Sequence, residues 1–211
     1  MTGLPGQFIA LEGGEGVGKS TQGRMLADAL RARGLEVVTT REPGGTPGAE
    51  AIRAMLLSTE GEGWGARAEA LLFAAARADH VEKLIRPAIA RGAWVICDRF
   101  VDSSRAYQGG GGGLSDAEVL DLHRIGSEGL LPDLTVLLSV PPEVSAQRLA
   151  MRDGGVGDRI ESRGAAYHAR VAEAFRSFAA QAPNRFAEID AVGSPADVHS
   201  RIMARLAGLL P

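Results

Sequence analysis

Short apolar runs alternate along this chain with longer stretches in which apolar positions recur every three or four residues. The runs at 7–11, 35–40 (LEVVTT), 93–97 (AWVIC), 134–140 (LTVLLSV) and 186–189 predict five strands. The stretches at 21–33, 49–57, 66–91, 115–128, 143–151, 165–182 and 195–210 predict helices. Gly34 stops the first helix, and Pro87 is expected to break the long one. Ser115 with Glu118 three residues on forms a capping box. The run AWVIC is apolar on both faces, as strands buried inside a parallel sheet are. Strands alternating with helices predict a parallel α/β sheet in one domain spanning 1–211. Gly109–Gly113 is a short low-complexity stretch, expected to be a loop.

Composition adds modest constraints. The chain has 211 residues, 45% of them hydrophobic, enough for one well-buried core. No apolar run approaches the roughly 18 residues of a membrane span. The N-terminal MTGLPG lacks the basic-then-apolar pattern of a secretory signal, and the single Cys97 suits a reducing compartment. A cytoplasmic protein is therefore expected, with no membrane partner. A net charge of −3 argues against a general nucleic-acid binder. Of 23 basic residues only Lys19 and Lys83 are lysines, and Lys19 sits where a compact point charge is needed.

That place is GGEGVGKST, residues 13–21, between the first strand and the first helix. Its Gly13-x₄-Gly18-Lys19-Ser20 spacing is the pattern of a phosphate-cradling loop, and the strand–helix flanks are the context that confirms it. The candidate phosphate ligands are Gly13, Gly14, Glu15, Gly16, Val17, Gly18, Lys19, Ser20 and Thr21. Backbone N–H groups face the β-phosphate, Lys19 spans the β- and γ-oxygens, and Ser20 can ligate Mg²⁺. Asp98, closing the third strand, can hold the same Mg²⁺ through water. ATP with Mg²⁺ is the expected donor. Phe73 and Arg77, spaced i, i+4, project from one helix face, an aromatic plane with a forked donor. Taken alone, Phe73 reads more readily as core packing.

Three further stretches, TREPGGTPGAEAIR (40–53), LLFAAARADH (71–80) and DRFVDSSRAYQGGG (98–111), join EGGEGVGKST and LPDLTVLLSV in order. Together they closely resemble the bacterial thymidylate kinase family, from about residue 7 to about residue 190. The resemblance implies a P-loop NTPase fold with a short Arg-bearing lid, transfer of the γ-phosphoryl group of ATP to dTMP, and a homodimer. It would stack Phe73 on thymine, set Arg77 against O4, and line the base pocket with Ser104 and Gln108. Tyr107 would exclude a 2′-hydroxyl and Glu15 would take the 3′-hydroxyl. Arg99, Arg41 and Arg53 would gather at the acceptor phosphate. Glu42 and Asp98 would lie near the metal and phosphates, with Pro43 beside them. Some relatives carry an arginine in the phosphate loop, where this chain has Gly16. The charge is then expected from a lid at about 147–163, with Arg148, Arg152 and Arg159 as candidates and Arg152 the one to reach the γ-phosphate. Many relatives have QGGGRG; here that arginine is absent or replaced by Arg105. Phe100 replaces a commoner Tyr, which matters little if only the ring packs.

His80, His123, His168 and His199 show no paired acid in the sequence, so no general base is expected. Phosphoryl transfer to a monophosphate needs none, because the attacking oxygen is already ionised. The catalytic set expected is Lys19, Arg99, Arg152, Asp98 and Glu15. A kinase for another nucleoside or nucleoside monophosphate, or a nucleotide-sensing switch, are the alternatives. The arginines poised for an acceptor phosphate count against a nucleoside kinase, and the aromatic pocket against a switch. Apolar stretches at 68–76 and 117–126 could supply a dimer face.

Overall fold

A computed structural model describes residues 6–152 and 158–211, with Arg152 described only in its backbone. Five parallel strands, β1 (Phe8–Glu12), β2 (Val37–Arg41), β3 (Trp94–Asp98), β4 (Leu134–Ser139) and β5 (Phe186–Asp190), lie in the order β2-β3-β1-β4-β5. The five expected strands are all present, and β1 runs one residue further, to a wholly buried Glu12.

The pleat divides β1 between two cores. Ile9 and Leu11 meet Leu26 and Leu30 of α1 (Lys19–Arg31) and Val198, Ile202 and Leu206 of α9 (Pro195–Leu206). Phe8 and Ala10 face Val81, Ile85 and Ala88, which belong to one long helical run. That run comprises α3 (Ala66–His80), a π-helical stretch Val81–Ile85 and α4 (Arg86–Ala90). Contrary to expectation, Pro87 does not break it. The proline falls directly after the π-helical stretch, where the bonding pattern has already shifted from i→i−4 and the run takes up a residue without an N–H.

The glycine run also departs from expectation. After α5 (Val101–Ser104), residues Arg105–Gly111 form a π-helical stretch, so Gly109 to Gly111 are helical and not a loop. The reason lies in α8 (Ala165–Gln181), packed against it. A Cβ on Gly110 would come 2.6 Å from the Cβ of Ala174, and one on Gly111 would meet the Tyr167 ring. Helix propensity disfavours glycine here, but close packing requires it. The remaining helices are α2 (Pro47–Leu57), α6 (Asp116–Ser127), whose Ser115–Glu118 capping box is present, and α7 (Pro142–Arg152).

Candidate active site

β1 ends into the glycine loop, and β2 and β3 end at Arg41 and Asp98, so chemistry collects at the carboxyl edge of the sheet. Gly13, Gly16 and Gly18 all hold positive φ, which turns successive backbone N–H groups inward. α6 and α9 cap their first turns with Ser115 and Ser194, whereas α1 begins behind Gly18 with no side-chain cap. Its first-turn N–H groups and helix dipole are left for an anion. Lys19, buried over this turn, donates to the carbonyls of Gly13 (3.2 Å) and Gly14 (2.6 Å). Burial, then the charge of Arg99, lowers its ammonium to about 8.

Above the loop opens a cavity of about 500 Å³, lined by Glu15, Gly16, Gly18, Lys19, Ser20 and Thr21 at one end and by Phe73, Arg77, Ser104, Tyr107 and Gln108 at the other. Arg41, Glu42, Pro43, Arg53, Asp98, Arg99 and Arg148 also reach it. Val17 lines an adjoining hollow of about 290 Å³ with Gln22, Arg148 and Gly193. Ser20 Oγ donates to Asp98 Oδ2 at 2.9 Å, bringing two hard oxygen donors together beside the loop. Among the described residues no cluster of three His, Cys, Asp or Glu could cage a metal.

Arg99 joins the two ends. It donates to Gly13 O (3.0 Å), Ser103 Oγ (3.0 Å) and Tyr107 Oη (3.1 Å), and pairs with Glu15. Its φ of 69° is a strained conformation for a side-chain-bearing residue. Glu12 holds the segment that imposes it: its carboxylate accepts from Phe100 N (2.8 Å), Ser103 N (3.1 Å) and Ser103 Oγ (2.6 Å). Burial, reinforced by Asp102, raises the Glu12 carboxyl to about 7. The Tyr107 ring lies against Tyr167 and Phe175, and burial pushes its phenol up to about 12, so it stays neutral.

At the aromatic end of the cavity the i, i+4 pair does share a space, with partners the sequence concealed. Arg77 Nε donates to Glu42 at 2.7 Å and Nη2 to Ser104 Oγ at 2.8 Å. The same Glu42 lies 3.1 Å from His80 Nδ1. His80 therefore has a paired acid, and Glu42, which lines the cavity, is bonded to Arg77 and His80. Phe100 is fully buried beneath Arg77, where a ring is all that is needed.

Among the peripheral arginines, Arg53 donates to Pro43 O (2.8 Å), and Arg41 pairs with Glu50 in an exposed position. Arg148 bonds Val17 O (3.4 Å) and Ala191 O (3.0 Å), against the phosphate loop. The Arg159 guanidinium donates to the carbonyls of Ser58 (2.6 Å), Glu60 (2.6 Å) and Gly61 (3.2 Å), away from the cavity lining. Arg105 is likewise absorbed, by Asp102 (2.9 Å) and Asp116 (2.7 Å), and stacks on Phe178. The Arg152 side chain, and the lid segment 153–157, lie outside the described residues. An arginine at Gly16 would be strained in this arrangement. The φ of Gly16 is 69°, and a Cβ there would meet Ser145 O of α7 at 2.9 Å.

A phosphate loop facing an aromatic-and-arginine pocket across one cavity is the arrangement of a two-nucleotide enzyme. The family model described as thymidylate kinase matches residues 11–202. The chain belongs to the thymidylate kinase family. It is 60% identical over 208 residues to the thymidylate kinase of Rhizorhabdus wittichii, covering 99% of this chain and 100% of that one. The thymidylate kinase of Chromohalobacter salexigens is 54% identical, over 96% and 95% of the two chains. The crystal structure of thymidylate kinase from Ehrlichia chaffeensis superposes with a TM-score of 0.77 at 31% identity, covering 96% of this chain and 99% of that one. The five-stranded parallel sheet is that of a P-loop NTPase.

Around this site, sequence reading missed Glu12 and Ser103, which hold Arg99 in place, and Glu69, which accepts from Gln108 and pairs with Arg163. Glu69 carried a signal: it lies four residues before Phe73 and eight before Arg77, on the same stripe of α3. Glu12 carried one too, as a lone acid closing an apolar strand. Arg163 carried none.

Proposed function

We infer that the cavity is where the family's reaction takes place: the γ-phosphoryl group of ATP passes to dTMP, giving dTDP and ADP. The observation that carries this is Arg99, which contacts the phosphate loop at Gly13 and Glu15 and the acceptor pocket at Tyr107 from one side chain. On this reading the donor phosphates lie on the first turn of α1 under Lys19. The donor's adenosine occupies the adjoining hollow, where buried Gln22 Oε1 has no partner among the described residues. Phe73 stacks on the thymine, Arg77 donates to O4, and Tyr107 closes the space a 2′-hydroxyl would need. Glu15 takes the 3′-hydroxyl, and Arg53 with Arg41 meets the acceptor phosphate.

The chemistry asks for alignment and charge neutralisation, since the attacking phosphate oxygen needs no base. Ser20 and Asp98 fit Mg²⁺, which favours a few oxygen donors and keeps several waters. Bound there, it would neutralise charge on the donor phosphates. Arg148, from α7, and Arg152 are the residues we assign to the transferring group. Exposed Leu71 of α3, with Leu120 and Ile125 of α6, supports a homodimer through that face; a cytoplasmic location is part of the same proposal.

The test is ADP formation from Mg²⁺ and ATP against no acceptor, thymidine, dTMP, dUMP, UMP, CMP and GMP. Turnover with dTMP, weaker with dUMP, is expected. Preference for thymidine would move the acceptor site, and equal turnover without acceptor would assign the loop to hydrolysis.

A further inference from the structure

Glu69 is a buried carboxylate with two partners on different elements. Gln108 Nε2 donates to its Oε1 at 2.9 Å, and Arg163 pairs with its Oε2. Arg163 also donates to Tyr167 Oη at 2.8 Å, and that hydroxyl donates to the Tyr107 carbonyl at 2.8 Å. The pair therefore braces the same π-helical stretch, Arg105–Gly111, that carries Tyr107 and Gln108.

We propose that Glu69 is a positioning residue that sets which pyrimidines the acceptor pocket admits, by fixing the polarity of the Gln108 carboxamide. The proposal rests on the reading that dTMP occupies this cavity. An ionised carboxylate paired with a guanidinium can only accept, so Gln108 must turn its N–H₂ towards Glu69. Its Oε1 is then the atom left for the cavity that Gln108 lines. Arg77, lining the same cavity, has only donors to offer. One acceptor and one donor lining the same pocket complement an adjacent N–H and C=O, the N3–O4 edge of thymine or uracil. Cytosine presents the reverse pattern at N3 and N4, so each group would face its like.

The substitution Glu69→Gln inverts the device with little change in shape. Arg163 has only donors, so the new amide gives it the oxygen and offers N–H₂ to Gln108. Gln108 then turns over and presents N–H₂ to the cavity. The experiment measures kcat and KM for dTMP, dUMP and dCMP in the wild-type chain, Glu69→Gln, Gln108→Leu and the double variant. A donor facing a donor leaves both unpaired, so the dTMP-to-dCMP ratio of kcat/KM should narrow about tenfold in Glu69→Gln. The change should lie in the acceptor KM, with the KM for ATP and the dTMP-to-dUMP ratio unchanged. Gln108→Leu should narrow the ratio similarly, and the double variant should equal Gln108→Leu alone, because Glu69 acts only through Gln108. A role in stability alone would lower the melting temperature and leave the ratio untouched.

If Glu69→Gln is too unstable to assay, an unchanged ratio in Gln108→Leu overturns the proposal by itself. Unchanged ratios in both variants, with dTMP turnover intact in the wild-type chain, overturn the proposal and leave the kinase reading standing. A wild-type chain that does not phosphorylate dTMP overturns both.

Discussion

Glu42→Ala is the substitution whose cost the structure makes easiest to anticipate. Glu42 accepts from Arg77 Nε at 2.7 Å and lies 3.1 Å from His80 Nδ1; the three side chains are 4%, 3% and 0% exposed. Removing the carboxylate strands a guanidinium in the interior and leaves one histidine nitrogen unpaired. Breaking a buried pair in this way costs about 3–5 kcal/mol, most of it the uncompensated charge. A 211-residue chain unfolds with an entropy of about 0.4 kcal/mol per kelvin, so the melting temperature should fall by about 7–11 °C. Calorimetry without nucleotide checks this. The sharper arm is Arg77→Met in the Glu42→Ala background, which removes the stranded charge and should recover part of the loss. A double variant no more stable than Glu42→Ala would refute the reasoning, as would a single variant melting within about 2 °C of wild type. Acceptor KM should rise in Glu42→Ala, since Arg77 loses the contact that aims it.

Lys19 titrates near 8 in the ligand-free chain, lowered chiefly by burial, yet phosphates select its charged form, so ATP binding at pH 8 should take up about half a proton. Calorimetric titration in buffers of different ionisation enthalpy measures it, and zero uptake would contradict the placement of Lys19. Glu12 is raised from 4.5 to about 7, so the folded state holds its proton more tightly than the unfolded one. Its contribution, about 3 kcal/mol at most, is present below pH 4.5 and lost as pH rises to 7. Glu12→Gln should flatten that slope in denaturant titrations, and an unaltered slope would assign it to other groups. Gly110→Ala places a methyl 2.6 Å from the Cβ of Ala174 and should cost about 1–3 kcal/mol in urea unfolding; a neutral effect would show that α8 can move aside.

What could be read from sequence was local or rested on spacing. β1, the glycine loop and the start of α1 follow from an apolar run, four glycines and a lysine within fourteen residues, and each needs only its neighbours. The Ser115 capping box is likewise contained in four residues. The pairing of Phe73 with Arg77 follows from helical geometry alone, and the family resemblance supplied the substrate before any coordinates.

Partnerships across the chain could not be read this way. Glu42 meets Arg77 and His80 thirty-five and thirty-eight positions on, and Glu69 meets Gln108 and Arg163 on two other elements. Such pairs form only when packing excludes water and forces each buried charge to find an opposite one. Arg159 looked in sequence like any other lid arginine, but the carbonyls at 58–61 claim it. The glycines at 109–111 looked like a loop because their local preference is for turns. They lie in a helical stretch that α8 approaches within a methyl's width of Gly110 and Gly111, and contacts between distant segments outweighed that preference. The sequence by itself determined the sheet, the phosphate loop and the family. Tertiary structure decided which acids and arginines are free to meet a nucleotide, because burial leaves no charge without a partner.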